Sequence, residues 1–600
     1  MKRAVSYQQE IPFEDLDPQR IRMEGARKKA LDLGRTRLLV TGVMFALAFS
    51  VLGGRLIDLT QNGKDQAPKW RSIAKAKNTD HVVTRGNVLD RSGRILATSL
   101  PTQSLYVDPR EARSTVDAAS AADLLIGILP ELDRAQVIER IEKQGRFEWL
   151  ARNLTPDQVW AINSLGLPGF GFRKEERRVY PFGPTFAHVL GYTDTDGRGI
   201  SGIEREFEHS LGTEGDPVTL SVDLRVQAIL HDELVRAHVS FDALGAAGVV
   251  MDVNTGEILA MASLPDFDPN LPGQSRGESG FNRASKGVYE MGSTFKLFTT
   301  AMALDTGTVG LKDGYDATNS IRAARFTISD YHGKKRWLSV PEILTYSSNI
   351  GTAKMALDVG ADQQKEYLRR FGMMAPSEVE IPEVGGPLYP KRWGDISTMT
   401  ISYGHGIAVS PLQLSAGVAA LVNGGVMHQP TLMKVTNTER PRGSQVISDK
   451  TSNAMRALMR KVVRDGTGSA ADIKGYLVGG KTGTADKQVA GNYDGKAVVS
   501  SFVGVFPMTS PRFVVLVMLD EPKGTKETFG FATGGWVAAP AVGRVISRMG
   551  PLFGLVPDAS VPDDEIKSGH PLYIPDTKAP RRSAELKANI AGGSIRRAAY

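Results

Sequence analysis

The chain has 600 residues, 41% of them apolar and 23% charged, which is globular composition but too long for one hydrophobic core, so at least two domains are expected. Lys and Arg exceed Asp and Glu by only 73 − 66 = 7, and no basic cluster is interleaved with stacking aromatics, so nucleic acid is not an expected partner. With no cysteine, disulfides, thiolate catalysis and cysteine-ligated metals are excluded, and the nine histidines show no H-x-x-x-H spacing that would support a metal site.

The first element in chain order is LLVTGVMFALAFSVLGG, 17 residues from Leu38 to Gly54 without a charge. That is the short end of the ~17–25 residues a membrane-spanning helix needs. Arg37 and Arg55 flank it, and Lys2, Arg3, Arg20, Arg22, Arg27, Lys28, Lys29 and Arg35 lie upstream. The positive-inside rule therefore predicts a single-pass transmembrane anchor over 38–57, with 1–37 in the cytoplasm and the rest of the chain outside it. A cleaved signal peptide at Ala46-Leu47-Ala48 is the competing reading, but that site falls inside the apolar run and the segment before it is long for a signal.

From 58 to 217 short apolar strands alternate with Pro and Gly turns around a helical patch near 118–145, which predicts an elongated α+β domain without a catalytic cluster. At Asp216 a strand is predicted to enter an amphipathic helix. Two β-rich runs then flank Asn254-Thr255-Gly256, the turn of a hairpin that starts an antiparallel sheet. The runs 498–507 and 512–522 are expected to pair with each other and with that hairpin, enclosing about 200 largely helical residues. The α+β domain so formed spans 218–555, and 556–600 reads as a flexible tail.

Three short motifs lie within that second domain: Ser293-Thr294-Phe295-Lys296, Ser347-Ser348-Asn349 and Lys481-Thr482-Gly483-Thr484. Each alone is weak, since Ser72 and Lys75 show the same spacing without meaning. Ser293, however, opens a run of helical spacing, so Lys296 shares its face and sits where a desolvated amine could take the hydroxyl proton. Lys481 to Thr484 precede a strand-like run, and an edge strand there would offer backbone N–H groups to an oxyanion and hydroxyls to a carboxylate, with Gly483 leaving the approach open.

In this order the motifs resemble the active-site set of the penicillin-binding proteins and serine β-lactamases. Asn282-Arg283-Ala284 and Tyr289-Glu290-Met291-Gly292 lead into Ser293 much as in that family, with Met291 in place of the usual proline. Arg85 to Ala97 (RGNVLDRSGRILA), then Arg178, Tyr180-Pro181, Gly183, Ala187 to Gly191 and Gly202-Ile203-Glu204, resemble the pedestal signature of class B enzymes. The resemblance implies a non-catalytic, dimerisation-type pedestal over 58–217. It also implies a transpeptidase domain of the penicillin-binding/serine β-lactamase kind over 218–555, an antiparallel sheet covered by helices.

The same resemblance implies a serine D,D-transpeptidase that cross-links peptidoglycan stem peptides ending in D-Ala-D-Ala and is acylated by β-lactams, with no metal or organic cofactor. Ser293 would attack, Lys296 would accept its proton, Ser347 would protonate the leaving amine and Asn349 would hold the substrate amide. Lys481 would supply positive charge, Thr482 and Thr484 would bind the carboxylate beside Gly483, and the N–H groups of Ser293 and Thr484 would form the oxyanion hole. The residues leave open which lysine is deprotonated. Arg85, Asp90, His188 and Glu204 read as structural. Ser402-Tyr403-Gly404-His405-Gly406 with the following SPLQL resembles the septal rather than the elongation type, which implies a polytopic lipid II polymerase and divisome proteins as partners. An elongation enzyme, a β-lactamase, a D,D-carboxypeptidase and a degenerate anchored scaffold are the rival readings.

Overall fold

The computed structural model describes residues 39–53, 84–323, 326–436, 443–489, 492–557, 566, 569–574 and 577. The predicted cytoplasmic segment 1–37 and most of the tail 556–600 lie outside them. Residues 39–53 are helical, and all but Gly53 are exposed along that helix. Of the membrane-spanning helix expected over 38–57, the described residues cover 39–53, and among the described residues no helix is long and apolar enough to cross a membrane. Residues 38 and 54–57 of the expected span lie outside the described residues.

The pedestal is a five-stranded sheet built around the 13-residue strand Ile95–Val107, which pairs antiparallel with Glu148–Leu154, Phe170–Val179 and Val88–Leu89. Val218–Thr219 closes it by pairing parallel with Val88–Leu89. Four helices surround one end of the sheet, and each starts where the sequence supplies a cap. Asp108, Asp117, Asp133 and Thr155 accept backbone N–H groups at the starts of Pro109–Thr115, Ala118–Ile128, Arg134–Glu142 and Pro156–Ser164. Leu105, Leu125, Ile141, Leu150 and Ile162 form a small core of their own there.

Arg85, Arg178 and Glu204 pin the base of the pedestal. Glu204 is fully buried, and its two carboxylate oxygens each take an arginine Nε at 2.7 Å, one from Arg85 and one from Arg178. Asp90 caps a tight turn by accepting from the N–H groups of Ser92 and Arg94 at 2.8 and 2.9 Å. His188 packs edge-on against Phe267, and burial lowers its pKa to about 4, so it is a neutral packing residue.

The second domain carries a five-stranded antiparallel sheet in the order Gly479–Val489, Asn492–Phe506, Phe513–Asp520, Gly245–Asp252, Ile258–Leu264. The predicted hairpin and the predicted pairing of the two late strands are both observed. Gly256 makes the hairpin turn at φ +76°, where a Cβ would lie 2.3 Å from the Gln429 carbonyl oxygen. Phe513–Asp520 is buried at every position because both faces of the sheet are covered, which is why FVVLVMLD does not alternate. Leu224–Ser240 and Ala539–Met549 cover one face, while Pro411–Val422, buried at all twelve residues, anchors the helical layer on the other. Gly479–Val489 is left as an edge strand, and the helical layer meets it at the motifs.

Candidate active site

The site forms where three elements converge. Gly292–Phe295 is a 3-10 turn leading into the helix Lys296–Asp305, not the α-helical first turn that the spacing predicts. Gly292 sets this up with φ +54°, a conformation costly for any residue with a Cβ, and the Thr294 hydroxyl donates to the Met291 carbonyl at 2.9 Å. In a 3-10 turn positions i and i+3 eclipse, so Lys296 stacks on Ser293. Its Nζ lies 3.0 Å from Ser293 Oγ.

The turn is wedged between two backbones. A Cβ on Gly292 would fall 2.4 Å from the Thr484 carbonyl oxygen, and one on Gly404 (φ +83°) would fall 2.1 Å from the Gly292 oxygen. Gly483 is tied to the same contact, because a Cβ there would meet Ser501 Oγ at 2.4 Å and Met291 O at 2.5 Å. The glycines at 292, 404 and 483 therefore let the Ser293 turn, the Ser402–Gly406 segment and the edge strand touch main chain to main chain.

Ser347 bridges the two lysines. Its Oγ is 3.0 Å from Lys296 Nζ and 3.1 Å from Lys481 Nζ, and its carbonyl oxygen accepts from Lys296 at 2.6 Å. The residue sits at φ +59° without being glycine, a strained conformation that aims both oxygens at the lysines. Ser293, Lys296, Ser347 and Lys481 thus form one continuous hydrogen-bonded chain. Lys481 also reaches Thr482 Oγ1 at 3.2 Å, and that hydroxyl pairs with Thr467 at 2.8 Å.

Both lysines are fully buried. Burial first, and then the neighbouring Lys481, holds the Lys296 ammonium well below its usual range, with Asp330 opposing. Burial lowers Lys481 to about 7. The Lys296 amine beside the Ser293 hydroxyl thus loses its proton more readily than a free lysine, and Lys481 titrates near neutrality.

Asn349 and Thr484 are held outside that chain. The Asn349 amide donates to the Ser329 carbonyl at 2.9 Å, and Thr484 Oγ1 accepts from Gly534 N at 3.1 Å, so each side chain is pinned at the rim. Three participants are not among the residues singled out from sequence. Asp330 and Thr467 lie on connecting segments with no motif spacing to mark them. Gly404 belongs to a run that sequence reading connects only to the septal type.

The chain's likeness to known proteins agrees with this geometry. Residues 80–224 match the penicillin-binding protein dimerisation domain and residues 246–546 the penicillin binding protein transpeptidase domain. The chain is 44% identical over 484 residues to the "Probable peptidoglycan D,D-transpeptidase FtsI" of Caulobacter vibrioides, covering 78% of this chain and 82% of that one. This chain is a class B penicillin-binding protein. Peptidoglycan D,D-transpeptidase FtsI of Escherichia coli (strain K12) is 32% identical over 566 residues, with 88% and 94% of the two chains covered. Among solved structures, the transpeptidase domain of penicillin-binding protein 3 from Burkholderia pseudomallei aligns at 33% identity and TM-score 0.51 over 56% of this chain and 97% of that one. Penicillin-binding protein 3 of Mycobacterium tuberculosis, solved with aztreonam, shares the fold at TM-score 0.61 and 23% identity over 79% of this chain and 97% of that one. For this penicillin-binding protein the family boundaries fall on the pedestal sheet and the five-stranded sheet described above.

Proposed function

We propose that this penicillin-binding protein cross-links peptidoglycan stem peptides by serine D,D-transpeptidation, with Ser293 as the nucleophile. The observation that carries this reading is the buried Lys296 amine, 3.0 Å from both Ser293 Oγ and Ser347 Oγ, with its proton affinity lowered by burial. Ser293 Oγ attacks the penultimate carbonyl of a D-Ala-D-Ala terminus as Lys296 takes its proton. The proton then travels through Ser347 Oγ to the departing D-Ala amine. The N–H groups of Ser293 and Thr484 face the oxyanion, while Lys481, Thr482 and Thr484 receive the terminal carboxylate at the strand that Gly483 keeps open. Asn349 holds the substrate amide. The acyl-enzyme is released by an amine from a second stem peptide, and a β-lactam enters by the same attack and stays.

Incubation of the full chain with a stem-pentapeptide mimic and a labelled D-amino acid as acceptor should exchange the terminal D-Ala for the label. Release of D-Ala without incorporation would make the enzyme a carboxypeptidase instead.

We further place the chain at the division septum, anchored in the cytoplasmic membrane through 38–57 with its catalytic domain outside, beside a polytopic lipid II polymerase and divisome proteins. Support comes from the relatives named FtsI, the Ser402–Gly406 segment, and the helix 39–53, along which the apolar side chains are exposed. A fluorescent fusion should gather at mid-cell and lose the membrane when 38–57 is deleted. Uniform side-wall signal would favour elongation duty.

A further inference from the structure

The loop that presents Ser347 and Asn349 joins two helices, Val340–Thr345 and Asn349–Val359, and carries a strained residue at its centre. Something must hold Ser347 in a left-handed conformation against two buried lysines, both of whose charged forms burial disfavours. The hydrogen bonds show what does. Ser348 Oγ, the N-cap of the second helix, accepts from Gly351 N at 3.0 Å and donates to Asp330 Oδ2 at 2.7 Å. Asp330 Oδ1 accepts from Ile350 N at 2.9 Å. The neighbouring Ser329 carbonyl takes the Asn349 amide at 2.9 Å. Two residues of one segment therefore grip three consecutive residues, 348 to 350, from outside the loop.

That segment is itself docked independently. It follows the strand Phe326–Ile328, paired with Ile321–Ala323, and Ile328 is buried against Ala353, Met399 and Tyr403. The clamp is thus fixed to the helix Asn349–Val359 by apolar packing and to the loop by the carboxylate. Asp330 also faces Lys296 electrostatically, opposing the effect of Lys481. An anion at the N-terminus of the Asn349 helix is favoured by the helix dipole as well.

We propose that Asp330 is a positioning residue of the transpeptidase site: through Ser348 and Ile350 it sets the loop that presents Ser347 and Asn349 to Ser293 and Lys296. It touches no reacting atom. The inference rests on Ser293 being the acylated nucleophile, and the test is arranged to separate the two.

The full chain, its Asp330→Ala and Asp330→Asn variants and Ser293→Ala are each mixed with a fluorescent penicillin, and the acylation rate is followed across pH. Asp330→Ala, which loses both bonds, should acylate slower than wild type by on the order of 10- to 100-fold, as expected for a small displacement of a proton-relay group. Asp330→Asn keeps an acceptor for Ile350 and a polar partner for Ser348, so it should recover most of that rate. It lacks the charge, however. The groups acting on Lys296 are then Lys481 without its opposing anion, with His405 also close enough to feel Lys296. Lys296 therefore gives up its proton at lower pH, and the acid limb of the Asp330→Asn profile should move to lower pH. A merely structural role would leave that limb in place. Wild-type rates and an unmoved acid limb in folded variants would overturn the proposal. If wild type itself is not acylated, or Ser293→Ala is acylated as well, it is the nucleophile assignment that fails.

Discussion

Replacing Lys296 by methionine is expected to lower the rate of Ser293 acylation by about 10²- to 10⁴-fold, the usual span for loss of a positioned base. Methionine keeps an unbranched side chain of similar length in a site where the lysine is fully buried, so the fold should survive. Lys296→Arg should not rescue, because a guanidinium stays protonated and cannot take the serine proton. The pH dependence has a definite sign. The Lys296 pKa is lowered, so the amine stays neutral to lower pH than a free lysine would, and further acidification protonates it. The wild-type acylation rate should therefore fall as pH drops through that lowered value, and the Lys296→Met variant should lack this limb. Stopped-flow measurement of acylation by a chromogenic β-lactam across pH checks both. A Lys296→Met rate within a few-fold of wild type would mean that the base is elsewhere.

The second large effect is on stability and lies far from the chemistry. Glu204→Ala should destabilise the pedestal by about 3–5 kcal/mol, because it leaves the Arg85 and Arg178 guanidinium groups buried without their common carboxylate. Arg85 retains Glu208 at 2.8 Å, but that carboxylate is exposed to solvent and does not replace the buried one. Several kcal/mol is a large share of the 5–15 kcal/mol that holds a typical domain. Calorimetry on the full chain should show an earlier first transition in Glu204→Ala than in wild type, with Glu204→Gln in between. A first transition at the wild-type temperature would show that the carboxylate is dispensable.

Much of this architecture is written in local patterns. The late strands stand out as apolar runs bounded by turns, and Asn254-Thr255-Gly256 marks a hairpin whose φ +76° glycine bears the turn. The motif residues Ser293, Lys296, Ser347 and Lys481 are legible because their chemistry comes in fixed spacings. What stays hidden is whatever depends on contacts between segments. Asp330 lies 18 residues from Ser348 in a stretch without periodicity, and Thr467 lies 15 residues before the hydroxyl it meets. The 3-10 turn at Gly292 lies against the edge strand, and the left-handed Ser347 sits between two buried lysines that come from distant segments. Helical spacing alone predicts neither.

The central claim is that Ser293, activated by Lys296, is the residue that takes the acyl group. Intact-mass spectrometry of the full chain after exposure to a penicillin tests it most directly, with Ser293→Ala alongside. The account predicts one stable adduct of the penicillin's mass on wild type, mapped to the peptide containing Ser293 and absent from the variant. An adduct that persists in Ser293→Ala, or none on either protein, would contradict it.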